Sequence, residues 1–292
     1  MAEAQLLIDG LHFAEGPRWH DGRLWFSDFY DHAITSVSLD GDVRVEVEIP
    51  DGGQSSGLGW LPDGTLLYVS MLDRALKRVD DGRISLHADL SQIATFHCND
   101  MVVDATGRAY VGNFGFDLDS AIDTRGIPDV LADHATAALA IVEPDGSARV
   151  GAAELHFPNG AVLTPDGATL IVAETLGMRL TAFDVLPNGD LTNRRVWAEL
   201  GGRLPDGICL DAEGAVWFAN AAAAECVRVA AGGEVLDIVT TTVPCFACML
   251  GGPEGRTLFT LASAASHHRE ASAERGGRIL VSEVAVPGAG RP

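Results

Sequence analysis

The sequence predicts an all-β fold in which six similar units close into a ring. Six stretches of the chain align with one another, and each pairs two apolar segments around a turn that contains Gly. No long apolar pattern with a 3.6-residue period is present, which argues against helical repeats. Units of about 40–50 residues with four strands each are typical of β-propeller blades. We therefore predict a six-bladed β-propeller that forms a single domain over residues 1–292.

The six stretches share one order of elements: a marker residue, an apolar strand, a turn with Gly and a second strand. They are Glu15–Asp28, Ser56–Ser70, Asn99–Asn113, Asn159–Ala173, Asp206–Asn220 and Phe246–Thr260. Their first residues are 41, 43, 60, 47 and 40 positions apart. Further alternating segments, such as Ala33–Val37, lie between the stretches and bring each unit to about four strands. Ring closure requires the chain ends to share a blade, so we expect Gln5–Ile8 to pair with Arg278–Val281.

One spacing is longer than the others and points to an insertion. The interval from Asn99 to Asn159 contains an extra segment, about residues 114–138, that is rich in Asp and Gly. Long insertions on a propeller are usually end loops, and one that lies near a site can act as a lid. The sequence leaves open whether this segment is a lid or a tolerated surface loop.

Composition limits the classes of partner. The net charge is −21, which argues against nucleic acid or an anionic membrane as a partner. No run approaches the ~20 apolar residues of a membrane span, and no signal peptide is apparent at the N-terminus. We therefore expect a cytoplasmic protein, and the use of Arg with a single lysine, Lys77, hints at a GC-rich bacterial genome.

The cysteines suggest reduced thiols rather than a disulfide framework. There are five of them, an odd number without regular spacing. Cys245 and Cys248 form a CxxC pair, but no second CxxC or nearby His pair accompanies it. We therefore interpret this pair as structural and not as a zinc or redox site.

Four of the six marker residues carry hard oxygen atoms. Equivalent positions in a ring of blades surround the channel axis, so the markers should meet at one mouth of the channel. Carboxylate and amide oxygens favour Ca²⁺, Mg²⁺ or Mn²⁺, and the carboxylates also suit Zn²⁺. Pairs such as Asn-Gly and Asp-Gly are ordinary turn residues when they occur alone. Their shared register favours a site for one divalent metal ion formed by Glu15, Asn99, Asn159 and Asp206. Among the candidate ions, we expect Ca²⁺. Ser56 and Phe246 would complete the channel mouth.

Several of these stretches resemble a known family. The segments are Ala14-Glu15-Gly16-Pro17, Asn99-Asp100, Phe157-Pro158-Asn159-Gly160 and Pro205-Asp206-Gly207-Ile208. They are similar to those of the regucalcin (senescence marker protein)/gluconolactonase/luciferin-regenerating enzyme family, and the resemblance extends over essentially the whole chain. It implies a six-bladed propeller with one metal in the central channel. By position it makes Glu15, Asn159 and Asp206 metal ligands, and Asn99 a fourth ligand or a substrate contact.

The resemblance also implies a reaction, and at one position this chain differs from the family pattern. It implies hydrolysis of a small-molecule lactone or ester, with Asp206 as the catalytic acid/base; the sequence leaves open whether Asp206 activates a water or attacks the carbonyl directly. Sugar lactonases of the family commonly have Arg two residues before the Asn-Asp pair, whereas this chain has His97 there. We expect His97 to serve as a proton shuttle or substrate contact, and Asn99, Trp19 and His156 to contact substrate. For Trp19, packing between blades is the alternative.

Two other functions remain open from the sequence. The segment Cys98-Asn99-Asp100 also resembles phosphotriesterases of the diisopropyl-fluorophosphatase type, which use a similar set of calcium ligands. A non-enzymatic propeller that binds a metal or a protein partner is the third possibility, because fold alone does not determine function. The sequence does not predict an oligomeric state.

Overall fold

A computed structural model describes residues 2–290, so residues 1, 291 and 292 at the ends of the predicted domain lie outside the described part. The described chain forms six sheets, antiparallel except for one short N-terminal strand, and their innermost strands contact one another in a closed ring. The prediction of a six-bladed β-propeller is confirmed.

Each blade contains four strands, ordered from the channel outward. Blade 1 has β3 (Ala14–His20), β4 (Arg23–Asp28), β5 (Ala33–Val37) and β6 (Val43–Glu48). Blade 2 has β7 (Ser55–Trp60), β8 (Leu66–Ser70), β9 (Ala75–Asp80) and β10 (Arg83–Asp89). Blade 3 has β11 (Cys98–Val103), β12 (Ala109–Asn113), β13 (Ala137–Val142) and β14 (Ala148–Leu155).

The second half of the ring repeats this order. Blade 4 has β15 (Pro158–Leu163), β16 (Thr169–Glu174), β17 (Arg179–Val185) and β18 (Leu191–Glu199). Blade 5 has β19 (Pro205–Leu210), β20 (Val216–Asn220), β21 (Glu225–Val229) and β22 (Val235–Thr240). Blade 6 has β23 (Cys245–Gly251), β24 (Thr257–Ala262), β25 (Gly277–Glu283) and, from the start of the chain, β2 (Gln5–Leu11).

The N-terminal segment closes the ring. Strand β2 pairs with β25 in antiparallel register, with Gln5 opposite Val281, as the sequence predicted. The short strand β1 (Ala2–Glu3) continues to blade 5, where it pairs in parallel with β22. The same few residues therefore connect two neighbouring blades: β2 is the outermost strand of blade 6, and β1 covers part of the outer edge of blade 5.

The hydrophobic core lies between the faces of adjacent blades. One cluster joins blades 2 and 3 through Leu67, Val69, Met101 and Val111, all of them almost fully buried. The outermost strands are more polar; in β6, for example, five of the six residues are exposed. The five cysteines are free and buried, and Cys248 packs between blades 5 and 6 with its Sγ 3.9 Å from that of Cys209. No helix in residues 2–290 is long and apolar enough to cross a membrane.

Helices occur in the connections at the channel mouth. The insertion at residues 114–138 contains α1 (Leu118–Arg125) and α2 (Ile127–Ala132). Asp117 caps α1 by accepting a hydrogen bond from the Ser120 backbone N–H at 3.0 Å. Gly126 lies between the two helices at φ 79°, a conformation that favours glycine. A third helix, α3 (His268–Ala273), connects β24 to β25, and a 3₁₀ turn spans Pro50–Gly52.

Candidate functional site

The six marker residues occupy one structural position, the second residue of each innermost strand. In every blade the pairing between the innermost strand and its neighbour shifts register there. Such bulges re-aim side chains. The sequence pattern predicted markers just before the strands, whereas the structure places them within the strands. Five of the six line one cavity at the channel mouth: Glu15, Asn99, Asn159, Asp206 and Phe246.

Glycines beside the markers allow neighbouring inner strands to approach closely. A Cβ atom on Gly160 would lie 2.6 Å from the Asp206 carbonyl oxygen and 2.6 Å from the Ile208 nitrogen. A Cβ on Gly207 would lie 2.7 Å from the Ala247 Cα. Real Cβ atoms do not come so close to backbone atoms, so these positions require Gly. The Asn-Gly and Asp-Gly pairs are therefore contacts between blades and not turns.

A chain of hydrogen bonds joins the polar markers. The Ser56 hydroxyl donates to Asn99 Oδ1 at 3.2 Å, and Asn99 Nδ2 donates to Asn159 Oδ1 at 2.8 Å. Asn159 Nδ2 then donates to the Thr175 hydroxyl at 3.2 Å, and that hydroxyl donates to the Pro205 carbonyl at 2.7 Å. Because these hydrogen bonds run from blade 2 through blades 3 and 4 to blade 5, they fix the two amide groups relative to the strand that carries Asp206.

Glu15 and Asp206 are buried carboxylates that repel each other. Burial, followed by the charges of Asp206 and Asp100, raises the pKa of Glu15 well above its ordinary value. Burial and the charge of Asp100 likewise raise the pKa of Asp206. Both side chains are less than a tenth exposed. Two ionised carboxylates in such a place are costly unless a cation accompanies them.

The structure reveals a buried ion pair that the sequence analysis missed. Arg18 of blade 1 reaches Asp100 of blade 3, with Nη2 3.2 Å from Oδ1, and donates further hydrogen bonds to backbone carbonyls. Burial raises the pKa of Asp100, and Arg18 opposes this shift. Asp100 directly follows Asn99 in the sequence, but a single sequence does not indicate that Asp100 forms an ion pair with Arg18 of another blade.

These residues fit a divalent cation. If all are ionised, the carboxylates of Glu15, Asp100 and Asp206 outnumber the single Arg18 guanidinium by two negative charges, which a divalent ion would balance. An amide oxygen has two lone pairs, so Asn99 and Asn159 can each accept their present hydrogen bond and still bind a metal. The donor atoms are all oxygen, the set preferred by Ca²⁺ and Mg²⁺.

A large cavity extends from the four donors towards solvent. Its volume is about 730 Å³, and most of the side chains around it are apolar. Residues of α1, α2 and α3 contribute to its wall, so the insertion borders the site. A hydrogen bond and an ion pair join α1 to α3: His268 Nδ1 lies 2.7 Å from Asp119 Oδ2, and Arg269 Nη2 lies 3.2 Å from Asp123 Oδ2. The helices therefore form a connected roof over one side of the channel mouth.

The other residues predicted to contact substrate occupy three different environments. His97 lines the cavity, where its ring stacks on Phe96 at 4.1 Å and burial lowers its pKa. Trp19 lies outside the cavity lining and stacks on Phe259 between blades 1 and 6, with ring centroids 5.3 Å apart. His156 also lies outside the lining, and its Nδ1 is 2.9 Å from Nε2 of His134 at the end of α2.

A second group of potential metal ligands lies at the cavity rim. Asp119, His267 and His268 bring their ligand atoms within 4.8 Å of one another. His267 precedes α3, and its side chain caps that helix by accepting a hydrogen bond from the Arg269 backbone N–H. The contact with α1 depends on the folded insertion, so no local sequence signal indicates it.

Comparisons with known proteins agree with this architecture. Residues 13–264 match the sequence profile of the SMP-30/gluconolactonase/LRE-like region. A regucalcin from Danio rerio is 26% identical over 213 residues, which cover 70% of this chain and 68% of the relative. A 6-deoxy-6-sulfogluconolactonase from Pseudomonas putida is 28% identical over 159 residues, which cover 52% of this chain and 54% of the relative.

The fold is also similar to solved structures. The crystal structure of a calcium-binding regucalcin from Agrobacterium tumefaciens has a TM-score of 0.79 at 21% identity, and the match covers 100% of this chain and 97% of that one. At this identity the likeness concerns the fold alone. The profile match extends over most of the sequence, from the first blade to the sixth. The chain therefore belongs to the SMP-30/gluconolactonase/LRE-like family.

Proposed function

We propose that this protein is a metal-dependent hydrolase that opens a lactone or a related ester. The observation that carries the proposal is the convergence of two buried carboxylates and two amides at the base of one large cavity. Family membership supports it, as does the similarity to a relative named 6-deoxy-6-sulfogluconolactonase. The substrate is a small molecule, since the donors lie inside a cavity and not on an open face.

Glu15, Asn99, Asn159 and Asp206 would hold one divalent ion, with Ca²⁺ as the expected metal. Zn²⁺, Mn²⁺ and Mg²⁺ are the alternatives that metal analysis must separate. A bound divalent ion supplies positive charge that polarises an ester carbonyl and stabilises the oxyanion formed on attack. The hydrogen-bond chain from Ser56 to Thr175 keeps the amide groups in place when substrate enters.

Asp206 serves as the general acid/base. Burial and the charge of Asp100 raise its pKa, so the Asp206 carboxylate is a stronger base than an ordinary Asp. The Asp206 carboxylate accepts a proton from the attacking water and returns it to the alkoxide oxygen that leaves the carbonyl carbon. The products are then the ring-opened hydroxy acid, or an acid and an alcohol from an ester.

His97 provides a second polar group at the cavity wall. Burial lowers its pKa, although the charges of Asp117 and Asp119 partly oppose this shift, so the ring is neutral at pH 7. A neutral imidazole can accept or donate a hydrogen bond to a substrate oxygen, or pass a proton between Asp206 and solvent. His97→Gln keeps the hydrogen-bonding capacity without titrating, and therefore separates contact from proton transfer.

The test begins with the metal content of the purified protein. The metal-free protein is then assayed with each candidate ion against lactones, aryl esters and organophosphates. We expect metal-dependent turnover of lactones and its loss in Asp206→Asn. Asp119→Asn is the matched control, because it disrupts the rim cluster and should leave metal at the channel mouth. Preferred turnover of organophosphates would favour the phosphotriesterase alternative, and metal binding without any turnover would favour a scaffold.

A further inference from the structure

The walls of the cavity above the four oxygen donors are mainly carbon. Aromatic rings from several blades line it, including Phe29, Phe114 and Phe157, and Ile122 and Val130 project from the helices of the insertion. The volume of about 730 Å³ is that of a site for a drug-sized ligand. A compact, six-carbon lactone ring would leave much of this apolar surface uncovered.

Most polar groups of the lining are already engaged within the protein. Asp117 caps α1, Asp119 pairs with His268, and the Thr175 hydroxyl donates to the Pro205 carbonyl. A polyhydroxylated substrate would need several free partners, because buried hydroxyl groups without hydrogen bonds are costly. Outside the four oxygen donors, four polar side chains of the lining make no side-chain hydrogen bond in the described structure: His97, Tyr30, Gln54 and Ser266. They are few beside the apolar side chains, so the wall suits a substrate with few hydroxyl groups.

The charge of the lining disfavours anionic substrates. It contains Glu15, Asp117, Asp119 and Asp206, and none of the described lining residues is Lys or Arg. Sulfonate and phosphate groups are normally bound by such cations or by helix N-termini. One bound divalent ion would leave the apolar part of the cavity without a positive charge. Among residues 2–290, no Lys or Arg lines that part, so an anionic group on a substrate would find no cationic side chain there.

We propose that the substrate is a neutral lactone or ester that carries a long alkyl or aromatic substituent. Its carbonyl lies at the four oxygen donors, and the substituent occupies the apolar space against α1 and α2. This inference rests on the proposed hydrolase function and names its substrate class. It gives the insertion a role as one wall of the substrate site, formed by side chains such as Leu118, Ile122 and Val130.

A homologous series of γ-lactones tests the proposal, from γ-butyrolactone to γ-dodecalactone. Glucono-1,5-lactone and its 6-phosphate are measured beside them. Burial of each added methylene should increase kcat/KM about fourfold until the cavity is filled. The two sugar lactones should be the poorest substrates, and the phosphorylated one the worse of the two. A kcat/KM that does not rise with tail length, or a preference for either sugar lactone, would overturn the proposal.

A pair of variants tests where the alkyl substituent of the lactone, its tail, lies in the cavity. Ile122→Ser should reduce the increase in kcat/KM per methylene, because the long alkyl substituents lie against α1. Val150→Ser, on the exposed outer strand β14, is the control and should behave as wild type. If Ile122→Ser leaves the dependence on tail length unchanged, the tail does not lie against the insertion and the proposal is wrong in that respect.

Direct binding separates failure of this inference from failure of the hydrolase function. Calorimetric titration of the Asp206→Asn variant with γ-dodecalactone should give binding at least about tenfold tighter than with γ-butyrolactone. Such binding without turnover by the wild-type protein would support the apolar site and refute hydrolysis. Turnover of glucono-1,5-lactone without selective binding of γ-dodecalactone would support hydrolysis and refute the apolar substrate.

Discussion

Replacement of Gly160 by Ala tests whether close contact between inner strands shapes the site. The added methyl group would lie 2.6 Å from both the Asp206 carbonyl oxygen and the Ile208 nitrogen, and 2.8 Å from the Gly207 Cα. All three are backbone atoms, so no side-chain rotation relieves the contact. Overpacking costs about 1–3 kcal/mol, and we expect the upper end, ~3 kcal/mol of unfolding free energy. The blades would have to separate by about 1 Å, a displacement that can cost ~100-fold in activity.

Urea unfolding followed by tryptophan fluorescence, together with kcat/KM on the best lactone, measures both effects. Gly276→Ala is the matched control, since its added methyl group would meet its nearest neighbour, the Ala264 Cβ, at an ordinary 3.7 Å. We expect the control to remain within about 0.5 kcal/mol of wild type. If Gly160→Ala were as stable and as active as Gly276→Ala, the inner strands would not be set by this contact, and the reasoning would be refuted.

Three further predictions concern the carboxylates. Burial alone would raise the pKa of Glu174, but hydrogen bonds from Arg179 and Thr181 outweigh burial and hold this pKa below its ordinary value. The Glu174→Gln variant should therefore lose ~2 kcal/mol of unfolding free energy at pH 7. In urea titrations that difference should disappear as pH falls below the ordinary Glu pKa and through the lowered one; a constant difference would contradict the assignment. Because burial raises the pKa values of Glu15 and Asp206, protons compete with a cation, and calorimetry should show Ca²⁺ affinity increasing as pH rises above the ordinary carboxyl range and through the raised pKa values. Ca²⁺ at about 100 times its Kd should stabilise the wild-type protein by ~2.7 kcal/mol in thermal unfolding, whereas equal stabilisation of Asp206→Asn would exclude this residue as a ligand.

The repeat made the blades and the shared register of the donors predictable. Spacing and turn chemistry recur six times, so errors in any one copy matter little, and Glu15, Asn99, Asn159 and Asp206 line one cavity as a result. Their exact place was not predictable, because a bulge within a strand has no sequence signature of its own. In the sequence alone, the adjacent glycines resemble turn residues. Only the packing against the next blade explains why position 160 requires Gly.

Features that depend on contacts between distant segments escaped prediction. Arg18 and Asp100 are 82 residues apart in sequence and meet only when the ring is closed. Helices α1 and α2 are short, with 8 and 6 residues, and their apolar side chains pack on surfaces that exist only in the assembled propeller. Whether Trp19 faces a substrate or a neighbouring blade likewise depends on blade geometry and not on residue type.

The pairing of β2 with β25 has a consequence for how the protein folds. Blade 6 is built from both ends of the sequence, so its sheet cannot be completed until the last strand has emerged from the ribosome. Contacts of such long sequence separation cost loop-closure entropy before they stabilise the chain, and they slow folding. Until then, β24 has an exposed edge that could pair with another chain. A circular permutant that opens the exposed turn after β18 and joins the present ends would form blade 6 within one continuous segment, and should refold faster with less aggregation.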